Sequence, residues 1–151
     1  MLLAKEKLNW QIGKTPLVLK NIQEEELSII IYDRDITHIK SEIHDLLQQK
    51  INLKINGDID SILNQVREEL NKVQSVHIIN DIKELLEHFK QISKINSFRL
   101  TLATVDKNMC RRFHTDMNDL RMLCTYSGPG TLWLTEQNTD RMALNNIGNN
   151  E

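Results

Sequence analysis

The chain has 151 residues, which is the usual length of one domain, with 40% apolar and 26% charged residues. Its 19 basic and 21 acidic side chains give a net charge of -2, and this balance excludes collagen, coiled coils and wholly disordered chains. The basic residues are spread along the chain and do not alternate with the two Trp, two Tyr and three Phe residues. Nucleic acid binding is therefore not predicted.

Neither a membrane segment nor an export signal is recognisable. The longest apolar stretch, residues 27–32, is far shorter than the ~20 residues that cross a bilayer, and the N-terminus has no basic region followed by an apolar one. We therefore expect no membrane partner and a cytoplasmic protein. In that compartment Cys110 and Cys124 are expected to stay reduced.

Residues 1–26 are polar and predict an arm, with a short strand or turn at the run from Pro16 to Leu19. The β-branched run 28–33 predicts a buried strand. Alternation of apolar and polar residues over 50–56 predicts a strand with one solvent-exposed face.

Apolar residues recur every three or four positions in the same part of the chain, and this spacing predicts amphipathic helices at 38–49, 59–71 and 81–94. Each is preceded by a polar residue suited to capping its N-terminus; these residues are Thr37, Asp58 and Asn80.

The pattern then becomes extended and predicts strands at 98–102, 109–117, 120–126 and 131–134, with a tight turn at 127–130. The sequence thus predicts a single α+β domain over residues 1–144, with a helix-rich part at 27–95, an antiparallel sheet at 96–135 and a disordered tail at 145–151.

His114 and Asp116 are the candidate metal ligands. On a strand, side chains two positions apart share a face, so this imidazole and carboxylate could hold one ion together. The alternative is a surface His and Asp that form a cross-strand hydrogen bond. Arg112 and Arg121 are candidates for binding an anionic substrate through paired hydrogen bonds, and the alternative for them is a role in solubility.

The run from residue 110 to residue 134 contains a characteristic set of residues: Phe113, His114, Asp116, Leu120, Arg121, Thr125, Tyr126, Gly128, Pro129, Gly130, Thr131, Trp133 and Leu134. This set resembles the signature of a family of uncharacterised bacterial proteins, the domain of unknown function 1826 family. The resemblance implies a cupin-like or 2-oxoglutarate-oxygenase-like double-stranded β-helix, with Fe(II) or zinc on His114 and Asp116.

The members of that family continue to a distal histidine and a 2-oxoglutarate-binding arginine, whereas here no histidine follows His114. We therefore expect a C-terminally shortened member with an incomplete, impaired oxygenase-like site, and we do not rely on 2-oxoglutarate as a cofactor. The alternative is a non-catalytic module that binds zinc, a small molecule or a protein. The residues do not identify a substrate. A sheet that ends early leaves open edges, so a weak homodimer is also expected.

Overall fold

The computed structural model describes residues 8–71, 75–106, 113–115 and 118–143, and it is a mixed structure of helices and small sheets. The contacts divide these residues into two compact units. Unit 1 contains the described residues in 8–33, 113–123 and 130–143, and unit 2 contains those in 34–106 and 124–129. That the whole of 1–144 is one domain stays a prediction.

In unit 1 a short parallel pair of strands is joined by a 3-10 helix. Strand β1 is Trp10–Gly13, the 3-10 helix is Pro16–Gln23 and strand β2 is Ile29–Tyr32. The register runs from Trp10 opposite Ile29 to Gly13 opposite Tyr32. The strand predicted at 28–33 is confirmed, although its residues are half-buried and not buried as predicted. The run from Pro16 forms a helix rather than a strand or turn. Proline favours this outcome because its fixed φ suits the first position of a helix.

The 3-10 helix packs closely on the end of β1. A Cβ atom on Gly13 would lie only 2.8 Å from Cβ of Val18, so this position has room for no side chain. On the same unit, the rings of Trp10 and Trp133 make an edge-to-face contact with centroids 5.6 Å apart. This contact ties the Trp-Leu end of the signature run to β1.

Unit 2 contains the longer helices and an antiparallel strand pair. Its elements are, in chain order, α1 (Lys40–Leu47), β3 (Asn52–Gly57), α2 (Ile59–Glu69), α3 (Val76–Ser93) and β4 (Phe98–Ala103). Strands β3 and β4 pair from Asn52 opposite Ala103 to Gly57 opposite Phe98. The predicted order of three helices and two strands in this region is confirmed, as is the cap of α2, where the Asp58 carboxylate accepts from the Ser61 N–H.

The core of unit 2 is formed by the apolar faces of α1, α2 and α3 packed against one face of the β3–β4 pair. Its most completely buried members, each about 2% exposed or less, come from α2, from α3 and from the residues that directly precede α1 and follow α2: Ile39, Ile62, Leu63, Val66, Leu70 and Ile78. The aromatic rings of Phe89 and Phe98 pack at the other end, with centroids 6.0 Å apart. Burial of this kind accounts for most of the favourable free energy of folding.

Two of the predicted caps are wrong. A 3-10 turn, Thr37–Ile39, precedes α1, and the N-cap position of α1 is Ile39 and not Thr37. At the start of that turn the side chain of Asp35 accepts a hydrogen bond from the Thr37 N–H. Helix α3 begins at Val76 rather than near Asn80. Its additional first turn is stabilised by a carboxylate from another helix, that of Glu42.

The predicted sheet over the signature run is not found in the described residues. Residues 120–126 and 131–134 form no strand, and Leu123 and Leu132 are exposed. Their alternating pattern failed as a predictor because it indicates a strand only where one face is buried. The rest of the predicted strand 109–117, apart from 113–115, lies outside the described residues, as do Cys110 and the tail 145–151. The resemblance to a double-stranded β-helix is not confirmed.

None of the helices in the described part of the chain combines the length and the apolar character that a membrane-spanning segment requires.

Candidate functional site

The structure describes two of the four candidate site residues. His114 and Arg121 are exposed and belong to unit 1, in stretches that are neither helix nor strand. Asp116 and Arg112 lie outside the described residues. Within the described residues, no group of three or more His, Cys, Asp or Glu side chains is arranged to hold a metal ion.

The most highly connected polar cluster of the described residues lies in unit 2, and neither of its central residues was predicted. The Arg34 guanidinium and the Asp81 carboxylate form a two-pronged ion pair, in which Nη1 donates to Oδ1 and Nη2 donates to Oδ2 at 2.8 Å. The Asp81 side chain is 5% exposed and that of Arg34 is 17% exposed. Removing charges from water to this extent is costly unless they are paired and hydrogen-bonded, as they are here.

Two residues of the signature segment complete the cluster. The Tyr126 hydroxyl donates to Oδ2 of Asp81 at 2.6 Å, and the Arg34 guanidinium carbon lies 5.7 Å from the centre of the Tyr126 ring. Arg34 Nη2 also donates to Sγ of Cys124 at 3.1 Å. Asp81 therefore accepts three hydrogen bonds, and Arg34 contacts all three of its neighbours.

The electrostatics of the cluster keep both signature residues protonated. Burial raises the pKa of the Tyr126 hydroxyl well above its ordinary value, and the hydrogen bond to Asp81 acts in the same direction. Cys124 is exposed as a residue, but the surroundings of its sulfur atom are desolvating and raise the pKa of its thiol, against the opposing effect of Arg34. A protonated thiol is a poor nucleophile and a poor metal ligand.

This arrangement is suited to positioning rather than to reaction. Its carboxylate, guanidinium and hydroxyl are engaged with one another, and no buried side-chain nitrogen or oxygen atom of the described residues lacks a hydrogen-bond partner. The cluster connects the residue that opens unit 2, the first half of α3 and the segment just before the Gly-Pro-Gly turn. We call these four residues, Arg34, Asp81, Cys124 and Tyr126, the arginine clamp.

The sequence contains a signal that singles out Asp81 as a buried polar residue. The apolar stripe of α3 passes through Ile78 and Ile82, and position 81 lies on the same face, so a carboxylate is placed where the periodicity predicts an apolar side chain. A carboxylate at such a position requires a cationic or donor partner. Nothing local in the sequence identifies that partner as Arg34, which lies 47 residues earlier.

A second buried carboxylate, that of Glu42 on α1, lies at the N-terminus of α3. It accepts from the backbone N–H groups of His77 at 3.1 Å and Ile78 at 2.8 Å, and it also contacts Nδ1 of the His77 ring at 2.8 Å. Burial opposes ionisation of Glu42, but the donors from Ile78 and His77 outweigh it and lower the pKa of the carboxyl. The contact of the His77 ring with Glu42 is thus a structural one.

Comparison with known proteins places the chain in one family and gives no further relative. A model of the family described as protein of unknown function (DUF1826) matches residues 13–151, which is nearly the whole chain. No curated protein and no solved structure matches. The matched range contains the arginine clamp as well as His114, Asp116 and Arg121.

Proposed function

This chain belongs to the DUF1826 family, and from that premise we propose that it is a metal-binding protein in which His114 and Asp116 are the protein ligands. The observation that carries the proposal is that His114 is exposed and precedes an aspartate by two residues, within the signature run. An exposed imidazole is accessible to an ion from solution. A neighbouring carboxylate adds negative charge and a second donor atom.

The donor set fits Fe(II) or zinc, since both metals accept imidazole nitrogen and carboxylate oxygen. Two protein ligands leave the remaining coordination positions to water or to a small molecule, and such a molecule could be held in part by Arg112 and Arg121. We further propose that the bound metal supports oxygenase-like chemistry and that the site belongs to a double-stranded β-helix. Both are supported only by the resemblance of the signature run.

Metal content tests the proposal directly. Protein purified without chelator is expected to contain zinc or iron by elemental analysis, and H114A is expected to lose at least tenfold in affinity for added Zn²⁺. The matched control is H44A, which removes an exposed histidine of α1. D116N is expected to behave like H114A, with D119N, an exposed aspartate, as its control. Metal binding that neither H114A nor D116N changes would refute the assignment.

Catalysis needs a separate measurement, because metal binding by itself does not establish it. Oxygen consumption by the Fe(II)-loaded protein, with and without 2-oxoglutarate, separates an oxygenase from a binding protein. Consumption that H114A abolishes would support the oxygenase, whereas metal binding without consumption would leave a non-catalytic module.

A second candidate function, protein interaction, is favoured by the surface of unit 1. Several large apolar side chains are exposed there, among them Leu17, Leu132 and Met142, which is 76% exposed. Exposed apolar side chains are a feature of interaction surfaces when they are contiguous. The oligomeric state, considered in the Discussion, tests this candidate.

A further inference from the structure

We propose that the outer edge of β3, together with the neighbouring side of α2, binds an extended peptide that carries a basic side chain. The peptide would add a third strand to the β3–β4 pair. This inference lies within unit 2 and is independent of the proposed metal site, whose residue His114 belongs to unit 1.

A groove of about 300 Å³ runs between the two elements. The consecutive residues 52–55 of β3 line one side, and Gln65, Glu68 and Glu69 of α2 line the other. None of the described residues that line it comes from β4, so the groove follows the edge of β3 that faces away from its partner strand.

The backbone of β3 presents donors and acceptors along this edge. The Ile51 carbonyl accepts from the Thr104 N–H at 2.9 Å, which directs residue 51 towards the β4 side. In an antiparallel ladder the hydrogen-bonding direction alternates, so Leu53 and Ile55 also face β4, whereas Asn52 and Lys54 direct their N–H and C=O groups outward. In the described part of the chain β3 pairs with β4 alone. Its outward groups are therefore available to an added strand.

The charge of the groove identifies the kind of peptide. Glu68 and Glu69 are exposed on α2, and neither forms an ion pair with any described residue. Lys54 is the only cationic residue of the lining, and it belongs to the exposed face of β3. The lining thus has a net charge of -1, from two carboxylates and one ammonium group. A strand with a central lysine or arginine would complement the carboxylates, and an acidic strand would be repelled.

The probe is a set of three five-residue peptides with the sequence Thr-Val-X-Val-Thr, acetylated and amidated, in which X is Lys, Gln or Glu. Binding to the full chain is measured by fluorescence anisotropy of labelled peptide. We expect the affinity to decrease in the order Lys, Gln, Glu. E68Q and E69Q should each weaken the Lys peptide by about two- to fivefold, as for exposed ion pairs. The control E84Q changes an exposed carboxylate of α3 outside the groove and should leave the affinity unchanged.

Loss of one backbone donor tests the strand addition. K54P removes the outward N–H of β3 and should reduce binding at least tenfold. T101P removes the outward N–H of the opposite residue on β4, at the other edge of the same sheet, and should leave binding within twofold. Circular dichroism is used to check that both variants are folded. If K54P does not fold, E68Q and E69Q still test the proposal. Three results would overturn it: no binding of the Lys peptide, no preference for Lys over Glu, or a homodimer that already occupies the β3 edge and that K54P dissociates.

Discussion

At the scale of single residues, the buried Asp81 carboxylate holds the arginine clamp of unit 2 together. It is 5% exposed and accepts hydrogen bonds from both Arg34 and Tyr126. We expect D81N to destabilise unit 2 by about 3 kcal/mol, because it leaves the Arg34 cation enclosed without its counter-charge. Urea denaturation followed by circular dichroism measures the change in the free energy of unfolding. The control is D45N, an exposed aspartate of α1, which should change the free energy of unfolding by less than about 0.5 kcal/mol. Equal effects of the two substitutions would contradict the clamp.

Glu42 makes the stability of unit 2 depend on pH. The pKa of its carboxyl is lower in the folded than in the unfolded protein, so ionised Glu42 stabilises the fold above its unfolded pKa, about 4.3 for a free glutamate. This contribution is lost as the pH falls through the folded value. We therefore expect E42Q to lower the free energy of unfolding at neutral pH, and its effect to shrink in acid. E84Q, with an exposed carboxylate on α3, is the control. An effect of E42Q that is the same at both pH values would contradict this assignment.

At the scale of secondary-structure elements, the end of α3 contains a strained residue. Lys94 has a φ of 61° and terminates the helix in the left-handed conformation, with its N–H donating to the Lys90 carbonyl at 2.9 Å. Glycine is the residue that usually occupies this position. K94G should therefore raise the free energy of unfolding by about 0.5–1 kcal/mol. K90G, one turn earlier inside the helix, should lower it by about 1 kcal/mol. The melting temperatures of the two variants should therefore shift in opposite directions. A shift in the same direction would contradict the claim that Lys94 is strained.

The helices and strands of unit 2 could be predicted from the sequence because their apolar periodicity matches the faces that they bury. The first turn of α3 could not be predicted in this way, because the carboxylate that caps it is that of Glu42, which lies 35 residues before His77. The strands predicted at 120–126 and 131–134 failed for a related reason. Alternation reports burial on one face, and the exposed Leu123 and Leu132 show that no such burial occurs there. A local sequence pattern therefore predicts a helix or strand correctly only where the rest of the fold buries the apolar face that the pattern implies.

At the scale of the whole molecule, unit 1 presents the features that lead us to expect weak self-association. It has a two-stranded sheet and several exposed apolar side chains, including Leu132, which is 80% exposed. Light scattering should therefore give a mass that rises above 17.7 kDa with protein concentration. L132S should reduce the rise, whereas L47S, which removes an exposed leucine of unit 2, should not. A mass of one chain at all concentrations would contradict the expectation.

The candidate site is less predictable than the fold, because its residues come from distant parts of the chain. The sequence singled out His114 by its spacing to Asp116, and the family match includes both. It did not identify Arg34 or Asp81. Their partnership depends on tertiary packing that brings residues 34, 81 and 126 together.

The contact between Trp10 and Trp133 has a spectroscopic consequence. These are the only two tryptophans of the chain, and both belong to unit 1, whereas α1, α2 and α3 belong to unit 2. Tryptophan emission therefore reports on unit 1, and the helical signal in circular dichroism is dominated by unit 2. One denaturation series recorded with both probes follows each unit separately, and coincident curves would identify a single cooperative transition.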